Sequence, residues 1–83
     1  MKDIQQGYMA FFHEGSEGVG AVTDVTAGEI VVYVENFGPF TVPRSAVKYV
    51  HDSKVILEKG RVSSTFLKAV AHAHDAEDPK LAG

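Results

Sequence analysis

The sequence predicts a mainly β domain, a small and strongly curved sheet followed by one C-terminal helix. Three observations carry this. Gly18 to Val25 and Glu29 to Glu35 are two β-rich runs that meet across a short turn, and a third run, Phe40-Thr41-Val42, follows closely. β-branched residues dominate the middle run, and their stiff χ1 suits a pleated surface. After Ser63 the apolar period changes from two to the helical spacing.

The elements follow in order. Gly7 to His13 is bulky and aromatic and reads as a first strand. Glu14 to Gly18 is a turn cluster. Val19 to Val25 is a second strand with apolar residues at Val19, Val22 and Val25, so the alternation is broken and a bulge or bend is expected near Gly20. Thr26-Ala27-Gly28 turns the chain. In the third strand, Glu29 to Glu35, one face carries Ile30, Val32 and Val34, the other Val31 and Tyr33. Asn36 to Pro39 is a turn. Phe40 to Val42 is a short fourth strand, ended by Pro43, and Pro43 to Ala46 reads as one tight helical turn. Val47 to Val50 and Lys54 to Glu58 form a hairpin around His51-Asp52-Ser53. Its loop residues are weaker than Asp-Gly for a primed turn, so the register is open. Ser63, Ser64 and Thr65 are N-cap candidates. Phe66, Leu67, Val70, Ala71, Ala73 and His74 then recur at helical spacing. The expected layout is one domain over 1–83, with β structure over 4–59, a helix over 63–77 and a flexible tail over 78–83.

Bulk properties narrow the class. Eighty-three residues make one domain with a modest core. There is no cysteine, so neither a disulfide nor a thiolate metal site supports the fold. The N-terminus has no apolar h-region, and no apolar run is longer than Ile30 to Val34, far below the ~20 residues of a spanning helix. A cytoplasmic location with no membrane span is expected. The net charge of −3 is segregated: residues 1–41 carry −5 and residues 42–68 carry +4. Such a dipolar surface favours association with a partner or with itself; cross-strand pairing of opposite charges is the plainer reading.

The runs Gly18 to Val25, Ile30-Val31-Val32, Val42 to Val47 and Val50 to Leu57 together resemble a PRC-barrel-type domain, closest to short bacterial domains of unknown function in that superfamily. The resemblance covers roughly residues 4–59. It implies a small six-stranded, strongly bent antiparallel β-barrel that works by packing against other proteins rather than by catalysis. It supplies no catalytic motif to carry over, and the helix after Gly60 lies outside the shared pattern.

Several residues invite a chemical reading. His72 and His74 on a helix point ~200° apart and cannot share one ion, and His74 with Asp78 lacks further ligands. His51-Asp52-Ser53 holds the residue types of a hydrolytic triad, but neighbours in a hairpin loop cannot form the line that chemistry needs. Gly15, Gly18 and Gly20 precede a strand, not the helix N-terminus that would hold a phosphate. No catalytic residue, metal, cofactor or small-molecule ligand is therefore expected, and the chain is read as no enzyme.

The surplus aromatics point elsewhere. Phe11 and Phe12 should face opposite sides of a strand, and Phe37 and Phe40 flank Gly38-Pro39 in a small core. They either form an exposed patch or lie beneath the C-terminal helix. The function expected is a noncatalytic β-barrel module for protein–protein interaction or self-association, with Tyr33, Phe37, Phe40, Arg44 and Phe66 as candidate interaction residues. The alternative is weak RNA binding by the basic 44–61 region, which the acidic net charge opposes.

Overall fold

Six strands form a single sheet in the computed structural model, which describes residues 4–77 and side chains as far as Ala73. The strands are β1 (Met9–Phe11), β2 (Gly20–Val25), β3 (Glu29–Val34), β4 (Gly38–Pro43), β5 (Val47–His51) and β6 (Lys54–Leu57). The helix α1 (Ser64–Glu77) follows. The segment 78–83, expected to be a flexible tail, lies outside the described residues, as does Asp78 of the His74–Asp78 pair.

The sheet order is β4-β3-β2-β1-β6-β5. All neighbours are antiparallel except β1 and β6, which run parallel. This corrects the expectation of an antiparallel-only sheet. The reason is positional: hairpins fix the sense of β2 to β4 and of β5 with β6, but no hairpin joins β1 to β6. Counting senses along the sheet gives β4 and β5 the same sense. The corner between them, a 3-10 turn over Arg44–Ala46, therefore carries the chain onward rather than back.

That corner also dictates curvature. Laid flat, five inter-strand gaps would separate β4 from β5 by about 24 Å. Four Cα steps from Pro43 to Val47 reach at most about 15 Å. The two edges can be so joined only if the sheet curls. The result is an open half-barrel, since β4 and β5 share no ladder. Backbone bonds pin the curl: Arg44 N–H donates to the Gly28 carbonyl at 3.0 Å and Glu58 N–H to the Ala46 carbonyl at 2.7 Å.

Local chemistry explains the strand details. Val22 and Val25 are three apart yet face the same side, because the register shifts between Val22 and Asp24. The bulge is therefore at Thr23, not near Gly20. Gly20 instead permits a close approach of β2 to β3, since a Cβ there would lie 2.5 Å from the Tyr33 carbonyl oxygen and 2.6 Å from Val32 Cγ1. Pro43 precedes the 3-10 turn as its cap rather than opening it. In the β5–β6 hairpin, Asp52 and Ser53 have φ of 50° and 63°, so a two-residue turn of the primed kind fixes His51 opposite Lys54.

The concave face holds the core: Ala10, Val22, Ile30, Val32, Val34, Val42, Val55 and Leu57. Helix α1 lies over it with Phe66, Ala69, Val70 and Ala73, the spacing of one helical stripe. Ser63 caps the helix, its hydroxyl accepting from the Phe66 N–H at 3.1 Å. Phe66 is 1% exposed and receives Phe12 and Phe40 edge-on at 6.2 and 5.7 Å. The aromatic surplus is thus divided, with Phe12 and Phe40 beneath the helix and Phe37 outside.

Candidate protein-binding groove

The register builds a line of side chains across the outer face. Met9 lies opposite Ala21, and Ala21 opposite Tyr33. Ala10 and Val32, one residue on from Met9 and one back from Tyr33, point into the core, so strand alternation turns this line outward. The same line continues from Tyr33 to Pro39 on one side, and from Met9 through Lys54 to His51 on the other. Met9 is 43% exposed and Tyr33 47% exposed, unusual for large apolar groups.

Between them runs a cleft of about 540 Å³. Met9, Ala21 and Tyr33 supply apolar wall, Ala73 of α1 borders the cleft, and Glu17 and Glu35 are also at its lining. Both charged side chains that line it are therefore acidic. The Glu35 side chain makes no hydrogen bond or ion pair among the described residues, whereas Glu17 is already engaged. The volume falls within the range of pockets that accept a small ligand or a few side chains.

The candidate residues named from sequence separate. Tyr33 is in the groove. Phe37 is 47% exposed on the β3–β4 loop, its ring 6.2 Å from that of His72. Phe40 is half-buried against Phe66, and Phe66 itself is core. Neither presents a free aromatic face, so Phe66 in particular acts as a packing residue. Arg44 is at the sheet corner, where its Nε donates to the Thr26 carbonyl at 2.9 Å and braces the β2–β3 turn. Met9, Ala21 and Glu35 do not stand out in the sequence. The available signal is β1 alternation: with Ala10 inward, Met9 must face out.

The basic region is largely engaged within the molecule. Lys48 pairs with Glu58 at 3.8 Å, and Arg61 donates to the Ser45 carbonyl at 3.5 Å. Lys54 and Lys59 lie over the Phe11 and Phe12 rings at 6.0 and 5.2 Å. On the β5 side, Tyr49 donates to Glu14 Oε2 at 2.9 Å. This hydrogen bond first, then desolvation and the carboxylate charge, raises the Tyr49 pKa above the ordinary 10.0. His51 and Asp52 pair at 3.1 Å in the open turn. Among the described residues, no three His, Cys, Asp or Glu side chains gather as metal ligands would.

No family model, curated protein or solved structure matches the chain. Among the described residues, no helix is long and apolar enough to cross a membrane.

Proposed function

We propose that the domain is a noncatalytic small β-barrel module that mediates protein–protein interaction or self-association. The observation that carries this reading is the exposed Met9–Ala21–Tyr33 line beside a cleft, which α1 borders at Ala73. Exposed large apolar groups in a contiguous line are what interaction surfaces present. The PRC-barrel-like relationship is part of the same reading and rests on the residue pattern of 4–59. So is closure of the half-barrel across β4 and β5, which the short Arg44–Ala46 link favours. RNA binding by residues 44–61 would have to release side chains already held by Glu58, Ser45, Thr26 and the Phe11 and Phe12 rings. Sedimentation velocity and chemical cross-linking at micromolar concentration, with affinity capture from a native lysate, test the reading. A discrete dimer or a stoichiometric partner is expected. A strict monomer that captures nothing would end it.

A further inference from the structure

We infer that the groove between Met9 and Tyr33 binds a basic segment of a protein partner, taking one lysine or arginine side chain. This rests on the interaction-module reading above and names the partner's chemistry. The aliphatic stem of such a side chain would lie on Met9 and Ala21, and its charge over the Tyr33 ring and beside Glu35. Long cationic side chains have this dual character, an apolar stem with a charged tip. A cation over an aromatic ring with a carboxylate nearby is held by two attractions of the same sign.

Three considerations select this occupant. Glu35 sets a carboxylate at the lining and no basic side chain lines the groove, so it favours a cation over nucleic acid or an acidic peptide. Glu35 lacks a partner among the described residues, so it can accept an incoming donor without breaking a contact there. The groove is lined by the outer sheet face and by Ala73 of α1, and a second copy docking there by two-fold symmetry would bring its own Glu35 to the same contact. A stable dimer needs roughly 800 Å² from each partner, more than two half-exposed side chains provide. An extended segment inserting one side chain fits better.

The test is an NMR titration of the whole 15N-labelled 83-residue chain. The probes are a ten-residue peptide of alternating lysine, arginine and leucine, its counterpart with glutamate at every basic position, and a single-stranded RNA. The basic peptide is expected to shift Met9, Gly18 to Ala21, Tyr33 and Glu35, more strongly at 25 mM than at 150 mM salt, with salt screening the attraction. Glu35→Lys should weaken binding about tenfold, from a lost attraction and an added repulsion, and Tyr33→Leu about fivefold. Retained amide dispersion in each variant shows that it is folded. Equal shifts from the glutamate peptide, shifts from RNA at the same amides, shifts confined to β5 and β6, or none would each overturn the inference. If cross-linking still yields a dimer or a partner, the interaction-module reading stands while the groove assignment falls. If neither occurs, both fall.

Discussion

Gly20 shows how one missing methyl group sets the contact between two strands. Its hypothetical Cβ meets the Tyr33 carbonyl oxygen at 2.5 Å, and a ladder backbone cannot retreat as a flexible side chain would. Gly20→Ala should therefore destabilise the fold by about 2–3 kcal/mol, the cost of overpacking a core, read as a lower urea midpoint with an unchanged slope. An unaltered midpoint would mean that β2 and β3 are less closely apposed than this. Tyr49 makes a second residue-scale case. Its hydroxyl donates to Glu14, and ionising it would place two negative charges side by side. Because the folded value is raised, the contact stabilises fully below the unfolded value of 10.0 and is lost as pH rises through the folded one. An absorbance titration at alkaline pH should show one of the three tyrosines ionising late. Glu14→Gln should bring that step back towards 10.0, since the charge is gone and any remaining bond is a neutral one. An unmoved step would assign the shift to another cause.

At the scale of the element, the β5–β6 hairpin turns on two residues that both hold positive φ, Asp52 and Ser53. An L-residue with a Cβ is strained there, whereas glycine is not. Ser53→Gly keeps the carbonyl that accepts the Met9 N–H. It should raise stability by about 0.5–1 kcal/mol, the usual gain when strain relief exceeds glycine's extra unfolded-state entropy. A thermal melt that falls instead would show the Ser53 side chain contributing something the backbone does not. How far sequence can be read also changes at this scale. Inward Ile30, Val32 and Val34, the Ser63 cap and the helical stripe from Phe66 are all legible, because each is a local period or a capping chemistry. The Thr23 bulge is partly legible: three-residue spacing of Val22 and Val25 carries it, but the glycine draws attention to the wrong position. The parallel β1–β6 pairing has no local signal, since the two strands lie more than forty residues apart in the chain. The groove is illegible for the same reason. Met9, Ala21 and Tyr33 come from three strands and become neighbours only through register. Tyr33 alone is identifiable, from its outward phase.

For the molecule as a whole, the decisive fact is that a curled open sheet has a concave side, and α1 fills it. The Arg44–Ala46 corner forces the curl, but a curl without a plug would expose Val22, Ile30, Val32 and Val42 to water. Phe66 is the largest fully buried side chain in that plug. It also joins parts of the sheet remote from one another: Phe12, just after central β1, and Phe40, in edge strand β4, both rest edge-on against it. The helix is thus a structural part of the domain rather than an appendage to a finished barrel. Phe66, Ala69 and Val70 commit the helix to the inner face, while Ala73, further along it, also lines the Met9–Tyr33 groove. Phe66→Ala should cost about 3–5 kcal/mol, from lost transfer energy and the cavity left behind. A small domain holds only about 5–10 kcal/mol in all, so much of the chain should be unfolded at moderate temperature and bind a hydrophobic dye. Phe66→Leu should retain most of the stability, because the volume change is smaller. If Phe66→Ala melted like the parent, α1 would be dispensable to the sheet, and its covering of the concave face could not be what keeps the curled form together.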